Sequence, residues 1–256
     1  MSCKVAIITG SASGIGLAVA EVLSAKGWIV HSLDKNNTKS EAASKDNSNV
    51  IKHTTDVSSW PSISSAFAAA FKKQGRVDFV FANAGVLEKS NFFARHDETE
   101  DSSYSDENES KSPIAGVYAQ ELAPLYSMTK GAILTLARAI AEPMRAADGI
   151  RTYAICPGIV RTSFVADELW DAYPQELITP MSRVTDTVEM LIRGGRLQDS
   201  RGNVAEDGEN HGLVVEIFCN EIFFRDRHHG WSDGLRYVLK LVEKSQEEYG
   251  AYLRPE

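Results

Sequence analysis

One short stretch constrains this chain more than any other. It is Thr9-Gly10-Ser11-Ala12-Ser13-Gly14-Ile15-Gly16, set between Val5-Ala6-Ile7-Ile8 and a run carrying Ile15, Ala18, Val19, Val22 and Leu23 at helical spacing. The apolar tetrad reads as a buried parallel strand. The second run reads as a helix that Gly27 stops. Strand, glycine turn and helix in that order form an anion site, because glycines let the backbone approach a pyrophosphate and the N–H groups of the helix start point at it. A tight strand-to-helix connection with no ligand is the plain alternative.

The next strand decides between them. Trp28-Ile29-Val30-His31-Ser32-Leu33 ends in Asp34, about 20 residues past the turn, where a carboxylate meets an adenosine ribose. Such a carboxylate accepts hydrogen bonds from both ribose hydroxyls and repels a 2′-phosphate. Neither Ser13 nor the residues just before Gly14 supply an Arg or Lys for that phosphate, and Lys35 is the nearby cation. The sequence therefore favours NAD over NADP.

Strands and helices go on alternating, the pattern of a parallel sheet covered on both faces. Residues 50–55 read as a third strand ending at Asp56-Val57. A helix follows, capped by Ser58 or Ser59, with Pro61 in its first turn and Gly75 as its stop. Residues 77–82 read as a fourth strand leading into Asn83-Ala84-Gly85. Further on, a long helix is expected from Pro124 to about Met144, kinked or ended by Pro143. A strand over 150–156, a helix over 185–193, a strand over 213–219 and a terminal helix over 231–249 complete the pattern. The fold expected is a single doubly wound, Rossmann-type α/β domain over residues 1–256.

Between these halves the pattern fails. Asp97, Glu98, Glu100, Asp101, Asp106, Glu107 and Glu109 face one basic residue, Lys111, so most of the chain's net charge of −8 lies in residues 96–112. That composition describes a solvated loop. The acidic balance argues against a nucleic acid or an anionic membrane as partner. No apolar run approaches the ~18 residues that span a bilayer, and no signal peptide is expected. Cys3, Cys156 and Cys219 are too few and too scattered for a disulfide framework or zinc site, which points to a reduced, cytoplasmic setting. The six histidines lack metal-ligand spacing, so no metal is expected.

Tyr126 and Lys130 stand on one helix face, four residues apart. Together with Thr9-Gly10-xxx-Gly14-Ile15-Gly16, Asp34, Asp56-Val57, Asn83-Ala84-Gly85 and Pro157-Gly158-Ile159-Val160-Arg161-Thr162, in that order, they make nearly the whole chain resemble the short-chain dehydrogenase/reductase family. Within that family, the Ala-Ile-Cys-Pro-Gly segment, residues 164–180 and Phe223-Phe224-Arg225-Asp226 resemble fungal proteins similar to NAD-dependent 15-hydroxyprostaglandin dehydrogenase.

The resemblance implies a role for each motif. Gly10, Ser13, Gly14, Ile15 and Gly16 hold the pyrophosphate, and Asp34 holds the adenosine ribose. Asp56 and Val57 flank the adenine, while Asn83, Ala84 and Gly85 approach the middle of the cofactor. Pro157, Gly158, Ile159 and Thr162 fix the carboxamide. Tyr126 is the base, its phenolate favoured by the Lys130 ammonium and by a positive nicotinamide ring. Lys130 also binds the nicotinamide ribose. The implied reaction is NAD-dependent interconversion of a secondary alcohol and a ketone on a small or apolar molecule, in a homodimer.

The chain departs from that family between Gly85 and Tyr126. A long helix, a central strand and a Ser that bonds the substrate oxygen are implied there, and the sequence shows neither the helix nor the strand. Aligned on Ala115-Gly116 and Tyr126, the Ser position holds Pro113, with Ser112 one residue earlier as the candidate hydroxyl. The helix implied to pack against a second subunit is missing with them. The rival reading is accordingly an NAD-binding pseudoenzyme, or the defective product of a mis-spliced gene model.

Overall fold

The structure is a computed structural model that describes residues 3–36, 48–86, 113–121, 123–163, 170–171, 173–225 and 237–238. The chain divides into two compact units, residues 1–224 and 225–256, and the elements that build the site lie in the first.

Strand β1 (Val5–Thr9) is buried along its whole length, as an apolar run between two neighbours demands. It pairs in parallel with β2 (Ile29–Asp34) and with β4 (Phe79–Phe81), and β2 pairs with β3 (Val50–Thr54), giving the order β3-β2-β1-β4. Helix α1 (Gly14–Ala25) returns from β1 to β2. Its Val19, Ala20 and Leu23 join Ala6, Ile8 and Val30 in one core. Helix α2 (Trp60–Gln74) starts where the sequence placed it: Ser59 Oγ accepts from Ser62 N–H, Pro61 sits in the first turn, and Gly75 ends the helix at φ +70°.

The long helix expected from Pro124 is two helices, α3 (Pro124–Ala139) and α4 (Ala141–Asp148), joined at Ile140. Pro143 lies inside α4 rather than at the break. It has no N–H for the Ala139 carbonyl four residues earlier, so the interruption falls N-terminal to the proline itself. On α3, Leu134 and Ala137 pack against Ala154, Cys156 and Val214. Leu125, Met128, Ile133 and Leu136 of the same helix are exposed.

Strand β5 (Tyr153–Pro157) pairs in parallel with β8 (Leu213–Phe218), and β9 (Glu221–Arg225) lies on the other side of β8. Between them come α5 (Met181–Arg193) and a small antiparallel pair, β6 (Leu197–Gln198) with β7 (Val204–Ala205). Helix α5 begins four residues before its expected start, and β6, β7 and β9 had no sequence signal. Of the expected terminal helix, Tyr237 and Val238 are helical and the remainder lies outside the described residues.

Among the described residues the strands thus form two main sheets, with β4 at the edge of one and β5 at the edge of the other. Both edges rest on one core, because Phe79 and Phe81 of β4 and Ile155 of β5 pack against the same cluster. The acidic loop over 96–112, Ser112 and the expected loss of a helix–strand unit fall on residues outside those described.

Candidate active site

The parallel strands bring their C-terminal ends together above β1, where an α/β sheet places its ligand. A cleft of about 710 Å³ opens there. It is lined by Gly10, Ser13, Gly14 and Ile15 from the first turn, Asp34 from β2, Asp56 and Val57 after β3, and Asn83, Ala84 and Gly85 after β4. Tyr126 and Lys130 of α3 and Gly158, Ile159 and Thr162 after β5 complete the wall. The structure therefore gathers nearly every residue expected from sequence into one cavity. Gly16 and Pro157 stand behind that wall, and Leu33, Lys35, Thr55, Val160 and Trp170 line it in addition.

Gly16 answers to a packing constraint. A Cβ there would collide with the Gly10 carbonyl oxygen and with Asn83 Nδ2. Its smallness lets the turn cross over α1. Gly10, at φ +66°, likewise leaves no room for a Cβ beside Ala84 Cα, 2.7 Å away. Asn83 secures the crossing: its Nδ2 donates to the carbonyls of Thr9 and Gly10 at 3.2 Å each, and Thr9 Oγ1 accepts from the N–H groups of Asn83 and Ala84 at 3.0 Å each. The turn is tied to the end of β4 before any ligand enters.

Ser13 caps α1 without a side-chain hydrogen bond, and no acidic residue sits in the first turn. The first N–H groups of the helix are left to an outside acceptor, as an anion requires. Asp34 is held in place: Oδ2 accepts from Ala12 N–H at 3.0 Å and Oδ1 from Asn36 N–H at 2.9 Å. Across the cleft, Gly158 N–H donates to the Ile217 carbonyl at 2.7 Å and Thr179 N–H to the Ile159 carbonyl at 2.7 Å. The first bond fixes the Pro157–Thr162 segment to the end of β8, and the second ties it to the residues just before α5. The chemistry of these donors and acceptors fits a dinucleotide: N–H groups for phosphate, a carboxylate for ribose, a lysine beside a tyrosine.

Tyr126 is nearly buried, and Lys130 Nζ lies 5.3 Å from its ring centroid. Burial pushes the Tyr126 hydroxyl up to about 12. Desolvation of the charged form is what the Lys130 ammonium and a positive nicotinamide ring have to offset for Tyr126 to act as the base. Burial also lowers Lys130, and the neighbouring Cys156 opposes that change. Lys130 Nζ reaches toward Gly85, where a Cβ would stand 3.5 Å from it.

Sequence reasoning missed one titratable pair. His31 Nδ1 and His53 Nε2 are 2.8 Å apart, their rings stacked at 5.1 Å between centroids. His31 is fully buried on β2. The pair arises from the β2–β3 register, which nothing in the sequence discloses.

Residues 4–107 and 111–172 match the model of the short chain dehydrogenase family, and the chain belongs to that family. Prx7 of Penicillium rubens, a short-chain dehydrogenase/reductase, is 30% identical over 268 residues, covering 88% of this chain and 95% of its own. That alignment is longer than this chain's 256 residues, so the relative carries residues with no counterpart here. The oxidoreductase UcpA of Salmonella typhimurium is 28% identical and covers 73% of this chain and 84% of its own. Among solved structures, ElxO with NADP bound superposes with a TM-score of 0.64 at 21% identity, covering 85% of this chain and 97% of its own. A 3-ketoacyl-(acyl-carrier-protein) reductase from Brucella melitensis complexed with NADH gives 0.59 at 20% identity, over 75% and 91%. The fold is the Rossmann-type α/β fold of this family, and the chain is an oxidoreductase of that family. Among the described residues no helix is long and apolar enough to cross a membrane.

Proposed function

We propose that this protein is an NAD-dependent oxidoreductase that interconverts a secondary alcohol and a ketone on a small or apolar substrate. The observation that carries the reading is the position of the Asp34 carboxylate, fixed by two backbone N–H groups at the cleft, in the same cavity as Tyr126 and Lys130. A carboxylate so held accepts from ribose hydroxyls and opposes a 2′-phosphate. NAD, when bound, supplies the hydride acceptor.

The chain's own groups do the rest. The first turn and the start of α1 hold phosphate, and the Pro157–Thr162 segment, pinned to β8, orients the far end of the dinucleotide. Tyr126 Oη takes the alcohol proton in oxidation and returns it in reduction. Lys130 places a positive charge over the Tyr126 ring, and a buried site makes that charge count for more than it does in water. Ser112 is the hydroxyl candidate for the substrate oxygen. Leu125, Met128, Ile133 and Leu136 give α3 an exposed apolar row, and a second copy of the chain is the partner we assign to it.

Fluorescence titration with NADH and NADPH tests the cofactor, and NADH formation with a panel of secondary alcohols tests the reaction. Tighter binding of NADH, with the gap narrowed in Asp34→Ala, is expected. Equal affinities in the wild type refute the assignment. Light scattering after gel filtration reads the dimer.

A further inference from the structure

A lysine directly after the ribose carboxylate is at odds with a site that rejects a 2′-phosphate, because an ammonium there attracts one. The structure shows where that ammonium goes. Lys35 Nζ lies 2.8 Å from Asp56 Oδ2. Asp56 is itself fixed from three sides: its Oδ1 accepts from Ser58 N–H at 2.9 Å and from Ser58 Oγ–H at 2.6 Å, and its own N–H donates to Ser62 Oγ at 3.1 Å. The bonds from Lys35 and Ser58 hold the Asp56 carboxyl down to about 2, so it is ionised at any working pH. Lys35, Asp56 and Asp34 all line the cleft.

The pair is too exposed to be read as a stabilising bridge, with 62% of the Lys35 side chain open to solvent. Its consequence is local charge. With Lys35 engaged by Asp56, the adenosine end of the cleft presents, among the described residues, the Asp34 carboxylate with no ammonium to offset it. Because all three groups line the cleft, a nucleotide in it is exposed to their charges with little screening by salt.

We propose that Asp56 is a cofactor-discriminating residue: by pairing with Lys35 it withholds from a 2′-phosphate the ammonium that would otherwise offset Asp34. The inference rests on the NAD reading above and adds a second determinant to it. The discrimination belongs to the Asp34–Lys35–Asp56 set rather than to Asp34 alone.

The test compares the ratio of NADPH to NADH dissociation constants in four proteins, by fluorescence titration. Using the ratio cancels any contact of Asp56 with adenine, which both nucleotides share. Asp56→Asn keeps the shape and removes the charge, and it lowers the ratio about three- to tenfold. Lys35→Ala in the wild-type background raises the ratio, because it leaves the Asp56 carboxylate uncompensated. Lys35→Ala combined with Asp56→Asn returns the ratio most of the way to wild type. An unchanged ratio in Asp56→Asn overturns the proposal. A fall that persists undiminished in the double variant also overturns it, since loss of negative charge alone then explains the effect. A wild-type protein that binds both nucleotides equally overturns the NAD reading itself, whereas a flat Asp56→Asn result in a protein that prefers NADH overturns only this inference.

Discussion

Acid should unfold this protein through the pair between β2 and β3. His31 is fully buried, and its Nδ1 shares one proton with His53 Nε2 across 2.8 Å. A proton on both rings would set two N–H groups against each other. Burial first, then the charge of a protonated His53 and of Lys73, lowers His31 from 6.5 to about 4. In the unfolded chain the same group protonates near 6.5. Between pH 6.5 and 4 the unfolded state therefore binds a proton that the folded state refuses, and stability is lost as pH falls. Over that window the loss from His31 amounts to about 3 kcal/mol, and His53, also lowered chiefly by burial, adds in the same direction. Below the folded-state value no further loss accrues from His31. Urea unfolding at pH 7.5, 6.5, 5.5 and 4.5, for the wild type and for His31→Leu, measures it. Carboxylates titrate alike in both proteins, so the difference between the two curves isolates the histidine. The wild type should lose stability relative to the variant across the window. Parallel curves would refute the reasoning.

Three further outcomes follow from the site. Tyr126→Phe should keep NADH binding and abolish turnover, and wild-type oxidation should climb with pH through the alkaline range, because burial holds the hydroxyl near 12; a flat profile between pH 7 and 10 argues for another base. Gly16→Ala should cost about 1–3 kcal/mol in urea unfolding and weaken NADH binding, since a Cβ meets the Gly10 carbonyl and the Asn83 amide. Asn83→Ala should weaken NADH binding although its amide faces Thr9 and Gly10 rather than the open cleft; unaltered affinity means that the turn holds its shape alone.

The cleft was legible in the sequence because its parts are local. A glycine turn between a strand and a helix, a carboxylate at the end of the next strand and a Tyr–Lys pair at helical spacing each fit within a few residues. The order of those parts is the order in which parallel strands deliver them to one end of a sheet. What escaped was set by contacts between distant segments. That Gly16 must also stay small for Asn83 cannot be read from its neighbours in the chain. His31 and His53 look like unrelated strand residues until the β2–β3 register stacks them. The break at Ile140 was misplaced onto Pro143 because the effect of a proline is felt four residues upstream, at the carbonyl left without a donor. Helical spacing does not disclose that the packing of β5 and β8 takes Leu134 and Ala137 of α3 and leaves Ile133 and Leu136 outside.

The clamp that Asn83 places on the first turn bears on kinetics as well as on shape. Thr9 and Gly10 are held by its amide in the ligand-free protein, so the phosphate-facing backbone has no slow rearrangement left to make. Stopped-flow mixing with NADH should give one exponential whose rate rises linearly with nucleotide concentration, as in simple encounter. In Asn83→Ala the turn must order itself during association, and the rate should level off at high concentration as that step becomes limiting.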